Sequence, residues 1–117
     1  KTFTDPKKLD IDHLIPLKNA HDSGAEKWSR NMKTRYANNR LDPAHLVAVD
    51  RSLNRQKGSK GPDEWRPPNK TSWCWYATNW WKIKADWGLR MTQNERAAVE
   101  DMLEHCDVTL NVLTTNP

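Results

Sequence analysis

The feature that most limits what this chain can fold into is its tryptophan content. Seven of its 117 residues are Trp (28, 65, 73, 75, 80, 81 and 87), while the hydrophobic share is only 36%. A chain this poor in apolar residues has few ways to bury a core, and each indole offers roughly 200 Å² to remove from water. The core must be built around tryptophan, in a small domain with a polar surface. Spacing says where. Trp73, Tyr76, Ala77, Trp80, Ile83 and Trp87 fall on one stripe at helical period. A helix is expected from Thr71 or Ser72, either of which can cap it, to about Asp86, with Gly88 as its stop. Thr92 and Glu95 form a T-x-x-E capping box that opens a further helix, with Ala98, Val99, Met102, Leu103 and Cys106 inward. Trp75 and Trp81 lie off the stripe. One of them is expected to be exposed, where it could stack on a base, or to pack under the Pro67-Pro68 loop.

The length fits one domain, with a core motif at 9–60, helical support at 62–106 and a tail at 107–117 that is an edge strand or loose. No run approaches the roughly 18 apolar residues of a membrane span, so no membrane partner is expected. No charged region followed by an apolar stretch stands at Lys1, so no secretory signal is expected within these residues. Nineteen Lys+Arg against fifteen Asp+Glu give a net charge of +4, which favours an anionic partner and nothing sharper.

The first half reads as strand, loop, strand, helix. Leu9, Ile11 and His13 alternate with Asp10, Asp12 and Leu14, a period of two that Pro16 stops. Residues 17–24 make a helical turn or two, ended by Gly24. Ala25, Trp28, Met32 and Tyr36 are spaced for a helix from Ala25 to about Ala37. A loop through Leu41-Asp42-Pro43 leads to a second strand, His45 to Val49, and Asp50 can cap a helix from Arg51 to about Lys57. The fold class is α+β.

Asp12-His13 on the first strand and Asn54 on the helix are the residues that carry chemistry. Phosphodiester hydrolysis needs a divalent cation on the scissile phosphate and an imidazole that takes a proton from water on the opposite side. Neighbouring strand residues point to opposite faces, so Asp12 can reach a metal while His13 faces elsewhere, unless local twist brings both round one phosphate. Asn54, one turn into the helix, can supply a neutral oxygen as a second ligand. A site with so few protein ligands leaves water on the ion, as Mg²⁺ prefers.

At D-I-D-H-L-I-P (10–16) and H-L-V-A-V-D-R-S-L-N-R-Q-K-G (45–58) the chain resembles the HNH, or ββα-metal, endonucleases. The middle Asn of such modules lies nine positions before the last one. Nine before Asn54 is His45, so the triplet reads His13, His45, Asn54, with His in place of the usual Asn. P-L-K-N-A-H-D-S-G-A-E-K-W-S, R-Y-A-N-N, N-R-Q-K-G-S-K-G-P-D-E-W-R-P-P and C-W-Y-A-T-N-W extend the likeness to the bacterial secreted HNH family related to the GmrSD C-terminal domain, over residues 10 to about 106.

The resemblance implies a ββα-metal core with flanking Trp-rich helices, and it implies roles. Asp12 and Asn54 would hold the metal, and His13 would activate water. His45 would brace the loop or orient His13 through a hydrogen bond, or, being a substitution, approach the metal or phosphate itself. The implied activity is metal-dependent hydrolysis of DNA with little sequence specificity. The ion expected is Mg²⁺, with Mn²⁺, Ni²⁺ or Zn²⁺ able to stand in; no small-molecule cofactor is called for. A DNA-binding module of the same fold with a silent site, or a nuclease that also cuts RNA, are the rival readings. An immunity or regulatory protein is a further partner of the kind such effectors have.

Arg51, Arg55, Lys57 and Lys60 lie close in sequence to Asn54, where a phosphate would dock, and Arg35, with Arg30 and Lys33, could extend that patch. Asp10 either holds a ligand or faces solvent beside Lys7 and Lys8. His21 and His105 read as surface histidines. Cys74 and Cys106 are 32 positions apart with no C-x-x-C, which rejects a zinc site. On two adjacent predicted helices they suit a single disulfide, as in the secreted members of the family and in an oxidising compartment; two buried thiols in a cytoplasmic protein are the alternative. A secreted or periplasmic location is expected on that reading.

Overall fold

The structure is a computed structural model, and it describes residues 8–106. The tail at 107–117, expected as an edge strand or loose, lies outside the described residues. In chain order the elements are β1 (Leu9–His13), α1 (Leu17–Asp22), a 3-10 turn (Ala25–Lys27), α2 (Arg30–Ala37), β2 (Leu46–Asp50), α3 (Arg51–Lys57), a second 3-10 turn (Lys70–Ser72), α4 (Trp73–Asp86) and α5 (Gln93–Glu104). This is a small α+β arrangement with one two-stranded sheet among the described residues.

β1 and β2 pair antiparallel, with Asp10 opposite Val49, Asp12 opposite Val47 and His13 opposite Leu46. Alternation puts Asp10, Asp12, Val47 and Val49 on one face, against which α3 packs. The other face opens to solvent at Ile11, which is 70% exposed. α3 follows β2 without a loop because Asp50 ends the strand and caps the helix, its carboxylate accepting from the Leu53 amide at 3.3 Å.

The helix expected from Ala25 to Ala37 is broken at Trp28. Ser29 supplies the physical reason: its hydroxyl accepts from the Met32 amide at 3.2 Å and starts α2 afresh at Arg30. The break lets Trp28 turn inward against Tyr36 and Trp87, at ring separations of 5.5 and 5.7 Å. The start of α4 also differs from the expected cap. Asn69 accepts from the Thr71 amide at 3.0 Å and sets up the 3-10 turn, while Ser72 makes no side-chain cap. β2 begins one residue later than expected, because the His45 amide is taken by the Asp42 carbonyl at 3.0 Å.

The tryptophan stripe forms as read from the sequence. Tyr76, Ala77, Trp80 and Ile83 of α4 are buried with Leu14, Ile15, Val99 and Met102, and Trp73 and Trp87 pack against this cluster. Trp80 is fully buried, and truncating so large a core side chain costs about 3–5 kcal/mol. Both Trp75 and Trp81 are about half exposed, where one was expected to be. The indole that engages the Pro67-Pro68 loop is Trp73, donating to the Pro67 carbonyl at 2.8 Å.

Two links hold α4 and α5 together. The capping box forms, with the Thr92 hydroxyl accepting from Glu95 and the Glu95 carboxylate accepting from Thr92. That carboxylate also meets buried Lys84 at 3.2 Å and the Trp80 indole N–H at 3.1 Å. Lys84 donates as well to Asn19, Ser23 and the Arg90 carbonyl, so its ammonium is fully partnered and ties α1 to the helical pair. The second link is the disulfide between Cys74 and Cys106, with the two Cα atoms 5.5 Å apart.

Candidate functional site

α3 carries three polar side chains at positions 51, 54 and 57, spaced to share the helix face that looks at β1. Each meets a residue of the strand. Arg51 Nε donates to Asp10 Oδ1 at 3.0 Å, and Asn54 Nδ2 donates to Asp10 Oδ2 at 3.0 Å. Lys57 Nζ lies 2.9 Å from Asp12 Oδ2 and donates to the His13 carbonyl at 3.0 Å. Asp10 is thus a shared acceptor for two helix side chains. The amide of Asn54 is held by its nitrogen, so its oxygen Oδ1 takes no part in that bond. The Asp10 carboxyl is held below the ordinary carboxylate range, first by Asn54 and then by Arg51.

Lys57 was grouped by sequence with the phosphate-facing cations. Its side chain is buried, 5% exposed, beneath the candidate site. Burial pulls its pKa down, and the Asp12 charge opposes that pull. Its position on the Asn54 face of the helix was a signal available from the spacing alone. Arg51 and Arg55 border a shallow cleft together with Lys8 and Gln56. Lys60 is exposed and donates to the Gln56 carbonyl at 3.3 Å. Arg35 is exposed in the last turn of α2.

His13 ends β1, on the face opposite Asp12. Its Nε2 donates to the Ala37 carbonyl at 2.7 Å. A carbonyl only accepts, so in the neutral ring the proton sits on Nε2 and Nδ1 carries the lone pair of a base. His45 is 2% exposed, and its Nε2 donates to the Tyr36 carbonyl at 2.6 Å. The rings of His13 and His45 lie 6.1 Å apart edge to face, with no hydrogen bond between them. His45 therefore packs the loop against α2 from inside, wedged between Tyr36 at 4.5 Å and Trp87 at 5.9 Å. Burial holds it below the ordinary histidine value, against the pull of its bond to Tyr36.

Asp12, Asn54 and Lys57 line one cavity of about 180 Å³, together with Leu53, Trp65, Trp75 and Tyr76. His13 is not among its lining residues. No cluster of three His, Cys, Asp or Glu side chains suited to a metal occurs among the described residues. A carboxylate and a neutral amide oxygen on one wall form a sparse, all-oxygen donor set. Such a set fits a hard divalent ion that keeps most of its own water.

No solved structure matches this chain. It is 39% identical over 105 residues to an uncharacterized secreted protein of Arthroderma benhamiae, a stretch that takes in 90% of this chain and 51% of that protein. The chain thus spans about half the length of this relative. The family model for the C-terminal domain of GmrSD restriction endonucleases matches residues 1–100. With nearly all of its described elements inside that match, the chain belongs to the family of GmrSD restriction endonuclease C-terminal domains.

Proposed function

We propose that this protein is a metal-dependent endonuclease that cuts DNA phosphodiester bonds with little sequence preference, on a ββα-metal core made of β1, β2 and α3. The single observation that carries the reading is the pairing of strand with helix: Asp12 and Asn54 border one cavity, and His13, next to Asp12 in the chain, is held by Nε2, with no partner at Nδ1 among the described residues. Family membership supports a nuclease-type activity independently.

In this reading Asp12 and the Asn54 oxygen would hold a Mg²⁺ ion, which when bound would supply positive charge for the scissile phosphate and the departing oxygen. Asp10 keeps the Asn54 amide turned the right way. His13 accepts a proton from the attacking water at Nδ1 while the Ala37 carbonyl fixes the ring by its other nitrogen. Arg51, Arg55 and Lys60 add positive potential along the strand to be cut. Lys57 serves from below, anchoring the Asp12 carboxylate and the backbone of His13 together. A location outside the reducing cytoplasm fits the disulfide and the secreted relative.

Relaxation of supercoiled plasmid tests the reading. Nicking in Mg²⁺ that EDTA abolishes and His13→Ala suppresses is expected. DNA binding without cleavage in any divalent ion would make the protein a binding module instead.

A further inference from the structure

The cavity beside Asp12 and Asn54 has a second character that phosphate chemistry does not use. Its remaining walls are apolar and aromatic: Trp65, Trp75 and Tyr76 line it with Leu53. Trp75 stands at 47% exposure on the helix that buries Tyr76, Trp80 and Ile83, and of its two half-exposed indoles, Trp75 and Trp81, it is the one that lines this cavity. Tyr76 is only 2% exposed, and its hydroxyl has no hydrogen-bond partner among the described residues. A buried hydroxyl left unpaired is costly to keep unless something pairs with it.

We propose, resting on the nuclease reading above, that this cavity receives one unpaired nucleobase of the strand being cut, so that the favoured substrate is single-stranded or locally opened nucleic acid. A planar base fits a slot walled by indoles, because aromatic stacking accepts every base through its π-face. The Tyr76 hydroxyl is buried behind the cavity wall with no partner among the described residues, and a small turn of the phenol on base entry would let it donate to or accept from the polar edge of any of the four bases. The charges agree with the same occupant. The backbone of a base seated here would run past the Asp12 and Asn54 wall toward Arg51 and Arg55. A base inside a duplex is stacked on both sides and cannot enter without leaving its partner.

The test uses the full chain in a His13→Ala background, which removes cleavage, and fluorescence anisotropy of three labelled probes. These are a short oligothymidine strand, the same strand annealed to its complement, and a copy carrying abasic sugars. The oligothymidine strand is expected to bind about tenfold or more tighter than the duplex or the abasic copy. Trp75→Ala, at an exposed position, is expected to lower that binding by about tenfold. Tyr76→Phe is expected to weaken it several-fold while leaving the melting temperature equal or higher, since the free protein loses an unpaired hydroxyl. Equal binding of the oligothymidine strand and its abasic copy, or no effect of either variant, overturns the base pocket and leaves the nuclease reading standing. Failure to bind any of the three probes overturns both.

Discussion

His13 and His45 hang from neighbouring carbonyls at the end of α2: Nε2 of His13 donates to Ala37 at 2.7 Å, and Nε2 of His45 donates to Tyr36 at 2.6 Å. The last turn of a helix has carbonyls without intrahelical partners, so it is a ready acceptor for two imidazoles. In the proposed mechanism the first ring is thereby oriented as a base, while the second packs the loop against α2. Replacing the base should be chemical in effect rather than structural. His13→Ala is expected to lower the cleavage rate about 10²- to 10⁴-fold with the circular dichroism spectrum unchanged. A melted spectrum, or a rate within a few-fold of the native protein, would remove His13 from that role.

The second ring makes stability depend on pH. His45 is buried and its Nδ1 has no partner among the described residues, so protonation would place a cation among Tyr36 and Trp87. Its folded pKa lies below the ordinary value of 6.5, so the unfolded chain binds the extra proton more readily. Stability is complete above 6.5 and falls as pH drops below it, toward the folded pKa. The melting temperature should decline on acidification through this range, and His45→Asn should flatten the decline. Equal slopes for the two proteins would mean that another group controls it.

Lys57 should matter for folding more than for DNA affinity. It is the buried partner of Asp12, and removing one member of such a pair leaves the other uncompensated. Lys57→Met is expected to destabilise the protein by about 3 kcal/mol in urea unfolding. In contrast, Arg55→Ala is expected to leave stability alone and to reduce the salt dependence of DNA binding by about one ion. A Lys57→Met protein of native stability would show that the pair is idle.

Asp10 acts through Asn54. Asp10→Ala frees the amide to flip and is expected to weaken Mg²⁺ or Mn²⁺ binding about 10- to 100-fold by calorimetry, with the fold retained. Unchanged metal affinity would place Asp10 outside the site.

Reducing Cys74–Cys106 opens a link between residues 32 apart. The loss expected from chain entropy is about 3–4 kcal/mol, read as a lower urea midpoint in reductant. An unmoved midpoint would show that the capping box and the Lys84–Glu95 pair hold α5 by themselves.

Features with a local signal were legible in the sequence. The alternation of Leu9 to His13, the Asp50 cap, the Thr92–Glu95 box and the α4 stripe all formed as read. The misreadings came where two local options compete. Ser29 can cap a helix as easily as sit within one, and Asn69 accepts from the Thr71 amide to open a 3-10 turn where Thr71 or Ser72 had been expected to cap the helix. Long-range partners left no trace: nothing near Lys84 names Glu95 or Asn19, and nothing near His45 names the Tyr36 carbonyl. In the site, Asp12, His13 and Asn54 stood out by motif, whereas the placing of Asp10 and Lys57 depended on which helix face met which strand face.

The most direct measurement is an anomalous-scattering map from crystals soaked in Mn²⁺. A peak between the Asp12 carboxylate and the Asn54 amide oxygen, with Lys57 Nζ still against Asp12, is expected. Peaks confined to other carboxylates, with Asp12 and Asn54 bare at saturating Mn²⁺, would contradict the metal centre and with it the proposed chemistry.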